Sequence, residues 1–442
     1  MKYMKTYRVM KYCILIIVCF AFQLVNAQNA LSIDDAINIA LKKNYDIRIA
    51  RNDAQVSKEN NTPGNAGMLP TLGIVGSGSY AVNNTTQKLA GGTENSYPNS
   101  ASSSLSLGLQ LNWTLFDGGK MFVTKSKLNE IQLQGEIQFK DNVLRTMFSV
   151  IAAYYDVVRQ KQQLNSINEV LNYNQNRLEV AQAKYNSGSL IKSDLLQAKI
   201  DLNVSKENKI NQEFAVKESL KTLNLALGRS GEEAIAVNDT IPLGFKVKKE
   251  DLVNKLNKSN TSILNLQKQI DIANLVLKEN RSLYLPNLSF KGGYYLSQST
   301  SSTGTILNTS SIGPQIGGSL SIPIYAAGET NRKVKVAKIQ EESNELILKS
   351  TKLEINTLLL NTLSDFENQE QLLKIETENN TLAKENMVIS LERLKQGQTT
   401  STEVHLAEEN YAQSSTRLVN FRYNLKMAET RIKQLVSSLG NI

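Results

Sequence analysis

The hydrophobic positions along this chain follow two different periods, one directly after the other. From residue 104 to residue 114 every second position is apolar, from Leu105 to Trp113, which is the pattern of a strand with one apolar and one polar face. From Lys120 to Ser187 there are 68 residues without proline and with one glycine, which predicts a single long helix. At about 1.5 Å per residue that helix would be roughly 100 Å long.

The succession of strand, glycine turn and long helix occurs twice. An offset of 209 residues aligns KYNSGSLIKSDLLQA (184–198) with RLKQGQTTSTEVHLA (393–407), and LFDGG (115–119) with IYAAG (324–328). In both copies 68 residues separate the glycine before the long helix from the glycine after it. The equal helix lengths indicate a duplicated unit.

Each copy contains two predicted strands, after a proline that ends the incoming helix. The predicted strands are 71–82, 104–116, 287–296 and about 315–325. Strands of about ten residues suit a tilted crossing of a bilayer. The alternative is an antiparallel sheet on a soluble core, but the polar faces carry almost no charge and no separate segment could cover the apolar faces. We therefore favour membrane strands, with Trp113, Phe116 and Tyr325 at the interface.

The first 27 residues have the features of a secretory signal peptide: four cations, an apolar run, and a cleavage site near Ala27/Gln28. Both cysteines, Cys13 and Cys19, lie inside it, and the residue before Cys19 is not one of the small residues that lipidation requires. We therefore expect an exported mature chain without disulfides or a lipid anchor. No later run approaches the ~20 apolar residues of a membrane helix, so membrane contact would have to use the strands.

Composition and motifs predict no enzyme, cofactor or metal site. The formal net charge of +9 includes the four signal-peptide cations, and no Lys/Arg block is interleaved with aromatic residues, so nucleic acid is not an expected partner. The single histidine, His405, falls in a predicted helix, where we expect a surface residue. FDGGKM lacks the first glycine and the Ser/Thr of a phosphate-binding loop, and the count of Cys and His ligands argues against a zinc or thiol site.

Four strands cannot close a membrane barrel, because such barrels have at least about eight strands and an open edge in lipid leaves backbone groups unpaired. Two chains would supply about eight strands and a filled lumen, whereas three would supply about twelve and a passage. In 329–396 apolar residues recur every seven positions in several registers, as expected for a helix with neighbours on two sides. The sequence therefore predicts a three-fold ring that joins a strand barrel to a hollow cylinder of helices.

Three motifs occur in the same order in both copies. The pairs are LPTLGIVGSGSYA and LPNLSFKGGYYLS, LNWTLFDGGK and LSIPIYAAGE, and KYNSGSLIKSDLLQAKIDL and RLKQGQTTSTEVHLAEENY. With them the whole mature chain resembles the TolC-like outer-membrane efflux proteins. The resemblance implies a mainly α fold with membrane β: a homotrimeric channel-tunnel whose 12-stranded β-barrel, four strands per chain, continues into a long α-helical barrel. It also implies export of drugs, toxic compounds or polypeptides through the outer membrane of a Gram-negative bacterium, with a periplasmic adaptor and an inner-membrane pump of the RND, ABC or MFS type.

On that basis the chain divides into seven segments. They are the signal peptide (1–27), the periplasmic helices of the first repeat (28–69), the first membrane strand pair with its extracellular loop (70–118), the first long helix and hairpin (119–228), a linker with the periplasmic helices of the second repeat (229–285), the second membrane strand pair with its loop (286–327), and the second long helix and hairpin (328–442).

Two departures from the family pattern concern how the tunnel mouth is held shut. Where the family often has a Tyr and an Arg that latch the periplasmic end, this chain has Leu394 and Thr399. Of the two places for pore-constricting acids, one holds Glu403 and the other holds Leu406. A latch of those groups is therefore not expected here.

Each predicted hairpin turns at a glycine, Gly188 or Gly397, which we expect in the left-handed conformation that ends a helix. Ser193 and Thr402 are then the expected N-caps of the following helices.

The acids in the first turns of those helices, Asp194 and Glu403, have two interpretations. They stabilise the helix dipole by ~0.3–1 kcal/mol each, or they form a ring of carboxylates that attracts cations to the tunnel mouth. Tyr185, Leu190 and Leu394 are expected to pack between neighbouring hairpins and hold the closed state.

A trimeric coiled-coil stalk or adhesin with no transport role is the alternative architecture that joins strands to long helices. Such a protein would place its strands at one terminus, whereas here they occur twice inside a duplicated helical frame. The duplicated pattern therefore favours a channel.

Overall fold

The computed structural model describes residues 30–246, 248–304 and 306–439. The predicted signal peptide and its cleavage site lie outside the described residues. Eight helices and four strands make up the described part, in this order: α1 Ile33–Lys43, α2 Tyr45–Glu59, β1 Thr71–Lys88, β2 Glu94–Asp117, α3 Lys120–Asn186, α4 Lys192–Leu227, α5 Lys249–Ser259, α6 Thr261–Ser282, β3 Asn287–Ser301, β4 Asn308–Ser321, α7 Glu329–Gln396 and α8 Ser401–Leu435.

The element order repeats after α4, as the duplicated motifs predict. Both halves run helix, helix, strand, strand, long helix, helix, and the two long helices α3 and α7 have 67 and 68 residues. The glycine turn before α3 has a backbone reason. Gly118 has φ +73°, and an added Cβ there would lie 2.5 Å from the carbonyl oxygen of Ser282. Any larger residue would therefore be both strained and in collision at this strand-to-helix turn.

The four strands form one antiparallel sheet in the order β1-β2-β3-β4. Its register places apolar residues of all four strands in rows on one face. One row is Ile74, Leu109, Tyr294 and Pro314, and the next is Leu72, Leu111, Gly292 and Ile316. Within the chain this face is open to solvent; Ile316, for example, is 79% exposed. The period-2 pattern therefore identified the apolar face correctly.

The opposite face of the sheet carries small and polar residues. One row consists of Ser77, Ser106, Ser297 and Ser311. Further along, the Tyr295 ring lies against two glycines, since a Cβ added at Gly108 or Gly293 would come within 2.3 Å or 2.5 Å of its ring atoms. Glycine is therefore needed at these two strand positions for the backbone to approach the ring closely.

The strands are longer than the predicted ten residues, and this part of the prediction was wrong. β1 has 18 residues and β2 has 24, so most of the segment predicted as a polar loop is paired strand. The extension is rich in Ser, Thr and Asn. Such residues support a backbone ladder of hydrogen bonds without producing apolar alternation, and the hydrophobic pattern therefore could not reveal it.

Contacts within the chain divide it into two units. The first comprises the described residues up to Ala50, Lys140–Asn260, and the described residues from Leu353 onward; the second comprises Arg51–Phe139 and Thr261–Lys352. The first unit has its core around Tyr154, Tyr155 and Val157 of α3, which pack with α1 and with the end of α4.

The second unit contains the sheet and the helix segments beside it. Trp113 of β2 donates from Nε1 to the carbonyl oxygen of Met68 at 3.0 Å. Thr124 Oγ1 and Lys127 Nζ of α3 both donate to the buried Glu279 carboxylate of α6 at 2.6 Å. Among the described residues no helix is both long and apolar enough to span a membrane.

Candidate functional site

The first hairpin, formed by α3 and α4, turns at Gly188 with φ +75°. The Gly188 amide donates to the Tyr185 carbonyl oxygen at 3.0 Å, and the Ser189 amide donates to that of Lys184 at 2.8 Å. These bonds satisfy carbonyl groups that the helix end would otherwise leave unpaired. The left-handed helix end predicted at Gly188 is confirmed.

The second hairpin, formed by α7 and α8, closes with the same geometry. Gly397 has φ +78°, its amide donates to the Leu394 carbonyl oxygen at 3.1 Å, and the Gln398 amide donates to that of Arg393 at 2.9 Å. The two tips are neighbours, because a Cβ added to Gly397 would lie 3.6 Å from Lys184 Nζ of the first hairpin.

The N-caps predicted at Ser193 and Thr402 were wrong. The cap of α4 is Ile191, without a side-chain hydrogen bond, and the cap of α8 is Thr400, whose hydroxyl accepts from the Glu403 amide at 3.2 Å. Each turn closes within three residues of its glycine, so the helix restarts earlier than expected. Ser193 and Thr402 therefore lie inside the first helical turn.

The two acids proposed for a pore entrance lie in comparable places with different surroundings. Glu403 is exposed, and its carboxylate accepts a short hydrogen bond from the Thr399 hydroxyl. Asp194 is half-buried in the first turn of α4. Glu403 thus has a local partner at the helix start, and its charge is still accessible to solvent.

The three residues expected to pack between hairpins have three different surroundings. Leu394 is buried in an apolar cluster shared by the two hairpins; its other members are Val170, Tyr173, Met387, Leu391, Val404 and Tyr411. Leu190 packs inside the first hairpin, against the cluster of Ala181, Leu195 and Ala198. Tyr185 is exposed within the chain. Contacts of these residues with another copy stay a prediction.

A buried ion cluster lies where the two hairpins meet. The Arg177 side chain of α3 is 1% exposed, and its Nη1 donates to Asp201 Oδ2 of α4 at 2.7 Å and lies 3.5 Å from Glu408 Oε2 of α8. Its Nη2 donates to the Ser401 carbonyl oxygen at 3.3 Å and to the Ser401 hydroxyl at 3.1 Å. One guanidinium therefore joins the first hairpin to the beginning of α8.

The other oxygens of the two carboxylates are held by side-chain amides. Asn174 Nδ2 donates to Glu408 Oε1 at 2.7 Å, and Gln197 Nε2 donates to Asp201 Oδ1 at 2.8 Å. Burial raises the pKa of Glu408 above its ordinary value, in spite of the opposing effects of the Asn174 hydrogen bond and the Arg177 charge. Proton uptake by this carboxyl group is therefore favoured by its surroundings.

The pattern of residues along α3 holds a signal for this cluster that the sequence-based predictions did not include. Val170, Asn174, Arg177 and Ala181 have the spacing of one helix face, and all four are buried. A charged residue on a buried helix face requires a buried partner. This spacing predicts that Arg177 is buried and does not identify its partners.

His405 is not the plain surface residue that was expected. Its side chain is 41% exposed, but Nδ1 is buried, 3.5 Å from Asp201 Oδ2 and 3.8 Å from Glu408 Oε2, and has no hydrogen-bond partner among the described residues. In the described part of the chain, Asp201, His405 and Glu408 are the three side chains whose ligand atoms lie close enough together to hold a metal ion. The ligand count that argued against zinc considered Cys and His and left out carboxylates.

A second cross-link joins α3, α7 and α8. Glu169 accepts from Lys384 Nζ at 2.7 Å and accepts a short hydrogen bond from the Tyr411 hydroxyl. Burial by itself would raise the pKa of Glu169, but these two hydrogen bonds outweigh it and hold the pKa below its ordinary value. The arrangement of both ion clusters supports a structural role, since each one ties helices of different hairpins together.

Comparison with known proteins gives a consistent result for sequence and fold. The family model described as "Outer membrane efflux protein" matches residues 36–229 and 252–438. The outer membrane protein TolC of Escherichia coli strain K12 is 23% identical over 314 residues, which cover 67% of this chain and 59% of TolC. The chain therefore matches less than two thirds of the length of that relative.

Two further matches concern a secretion protein and a solved channel. The proteases secretion protein PrtF of Dickeya chrysanthemi is 19% identical over 72% of this chain and 68% of PrtF. The crystal structure of the Campylobacter jejuni CmeC outer membrane channel superimposes with a TM-score of 0.77 at 16% identity, covering 92% of this chain and 85% of CmeC. The chain thus has the fold of an outer membrane channel subunit.

Proposed function

This chain belongs to the outer membrane efflux protein family, and from that membership and its sheet we propose that three copies form an export channel through the outer membrane. The mature chain would reach that membrane after secretion, which its predicted signal peptide supports. No catalytic role is part of the proposal, since the relatives it matches are named as an outer membrane protein and as secretion proteins.

The observation that carries the proposal is the incomplete sheet. β1 and β4 are its two edges, and their outer sides have no strand partner among the described residues. One face carries the exposed apolar rows, and the opposite face carries mainly small and polar residues. In a bilayer the edges must pair with strands of other copies, since unpaired backbone groups in lipid cost several kcal/mol each. Three copies supply about twelve strands and leave a passage.

Membership of the outer membrane efflux family suggests both the exported molecules and the partner proteins of this chain. A channel of this kind receives cargo from an inner-membrane pump through a periplasmic adaptor, so both are proposed partners. PrtF is named for protease secretion. Polypeptides are therefore one proposed cargo class, and membership of the efflux family makes small toxic compounds the other.

The two adjacent hairpins are the proposed mouth of the channel. The shared apolar cluster around Leu394 and the Arg177 ion cluster hold one hairpin against the other within the chain. Opening would separate hairpins of neighbouring copies, and the adaptor would dock on these tips. Leu394 and Thr399 stand where the family often has a Tyr and an Arg. In the proposed closed state, apolar packing around Leu394 would therefore replace part of the polar contacts that hold the mouth shut.

The number of copies in the membrane-inserted particle tests the proposed function. Native mass spectrometry of the detergent-extracted protein should give three copies, and the particle should conduct ions in a planar bilayer. Circular dichroism should be mostly helical with a minor strand fraction. A stable monomer or dimer as the inserted species would contradict the proposal, and a trimer without conductance would favour the stalk alternative.

Glu403→Gln is expected to lower the preference of the channel for cations, because three carboxylates at the mouth attract cations and repel anions. Reversal potentials in a planar bilayer under a salt gradient measure this preference. Thr399→Ala is the matched control, since it removes the hydrogen bond to Glu403 and keeps its charge.

The outcome of this pair separates the two interpretations of Glu403. Loss of cation preference in Glu403→Gln with retention in Thr399→Ala supports a charged ring. Unchanged selectivity in Glu403→Gln, and also when Asp194→Asn is added, leaves helix-dipole stabilisation as the role of both acids.

A further inference from the structure

Asp201, His405 and Glu408 bring three metal-ligand atoms together between the two hairpins. One ligand atom from each of these residues lies within 4.8 Å of the other two. Asp201 comes from α4, whereas His405 and Glu408 are three residues apart on one face of α8. Carboxylate oxygen and imidazole nitrogen are the donor types that zinc and related divalent metals prefer when thiolate is absent.

The charged groups of this pocket favour a bound cation. The Asp201 and Glu408 side chains are 7% and 11% exposed, and besides His405 the Arg177 guanidinium is the one cationic group among the described residues within salt-bridge distance of both. Two buried carboxylates thus share one guanidinium, and a cation bound between them would offset buried negative charge that is otherwise costly.

The two distances between the histidine nitrogen and the carboxylate oxygens fit a metal site better than they fit hydrogen bonds. The His405 Nδ1 atom lies 3.5 Å and 3.8 Å from the two carboxylate oxygens, which is too far for a good hydrogen bond. Bonds of ~2.1 Å in a tetrahedral zinc site would separate the donors by roughly 3.4 Å. A cation between these three atoms would therefore give the buried nitrogen the partner it lacks.

The surrounding side chains already orient the carboxylates for this role. Gln197 and Asn174 hold the outer oxygens of Asp201 and Glu408, so that the inner oxygens Oδ2 and Oε2 face His405. Such hydrogen bonds fix ligand geometry in metal sites. The partial exposure of His405 provides a path from solvent, and a water molecule would complete four ligands.

We propose that Asp201, His405 and Glu408 form a binding site for one divalent transition-metal ion of the zinc type per chain. The ion would offset buried negative charge in the pocket and clamp α4 of the first hairpin to α8 of the second. The Arg177 guanidinium lies next to the site, 2.7 Å from Asp201 Oδ2 and 3.5 Å from Glu408 Oε2, so each of these oxygens would use its second lone pair for the metal. Its positive charge makes the site weaker than an all-anionic one.

Metal binding by the full chain in detergent, purified without a histidine tag, tests this proposal. After dialysis against Zn²⁺, metal analysis should find one ion per chain in the wild type, and Co²⁺ should give the absorption bands of a low-symmetry site. His405 is the sole histidine of the chain, so His405→Gln should abolish the bands and the bound metal. This side chain is half-exposed, and the variant should fold.

Two further variants separate the site from adventitious binding. Glu409→Gln is the matched control, because it removes an exposed carboxylate next to Glu408 and should bind metal like the wild type. Gln197→Ala removes an exposed amide that orients Asp201 and should weaken Zn²⁺ binding by about 10-fold or more. Equal metal binding by the wild type and His405→Gln would overturn the proposal. Absence of metal binding by the wild type would overturn it as well. Neither result bears on the copy number or conductance.

Discussion

Arg177→Met is expected to lower the free energy of unfolding by about 3–5 kcal/mol, the effect of removing one partner from a buried ion pair. Methionine fills a similar volume without charge, so the loss comes from Asp201 and Glu408, which stay buried without their shared guanidinium. The four donor contacts of Arg177 to α4 and α8 also disappear. We expect α8 to separate from the first hairpin in this variant.

Thermal unfolding followed by the helical circular dichroism signal measures this effect, together with proteolysis at the two hairpin tips. Lys384→Met is the matched control: it removes an exposed partner of Glu169, for which about 0–1 kcal/mol is expected. Adding Asp201→Asn and Glu408→Gln to Arg177→Met should restore much of the stability, because the neutral side chains no longer need a cation. An Arg177→Met protein as stable as Lys384→Met would show that the cluster contributes little.

The loss in Arg177→Met should also depend on pH. Burial raises the pKa of Glu408 above its ordinary value of 4.5 in the folded wild type, and removal of the neighbouring cation raises it further. A folded state that binds a proton more tightly than the unfolded state gains stability as the pH falls. The difference from wild type should therefore shrink as the pH falls through the raised pKa toward 4.5, and a difference that widens over this range would contradict the account.

Leu109→Arg is expected to prevent insertion and assembly of the channel. Leu109 lies in the apolar row with Ile74 and Tyr294, on the face proposed to contact lipid. An arginine at mid-membrane on that face costs ~2–4 kcal/mol, and three copies repeat the cost in one particle. Leu111→Arg should act in the same way, because Leu111 lies on the same face in the next row.

Gln110→Arg is the matched control, since its side chain lies on the opposite, polar face beside Gly73 and Gly293. The amount of protein in the outer-membrane fraction and of trimer in mild detergent measures the result. We expect Gln110→Arg to assemble and both leucine variants to fail. Equal loss in Leu109→Arg and Gln110→Arg would mean that the alternation of the strand was misread.

Several parts of this architecture could be predicted from local pattern alone. Helix α3 begins and ends within one residue of its predicted limits, because glycine turns bound it and no proline interrupts it. The apolar face of β2 followed from simple alternation. The strand lengths and the N-caps at Ile191 and Thr400 could not be predicted, because Ser/Thr-rich strand pairing and tight turns leave no hydrophobic period.

The sequence by itself determined the duplicated order of elements, the hairpin turns and the faces that are buried, since period and turn residues act over a few neighbours. Only the tertiary structure decided which buried residues meet. Arg177 and Glu408 are 231 residues apart in the chain, and their contact depends on how α3 and α8 are rotated and aligned against each other. A helical period reports which face is covered and carries no information on what covers it, so the ion cluster and its histidine became visible only in the folded chain.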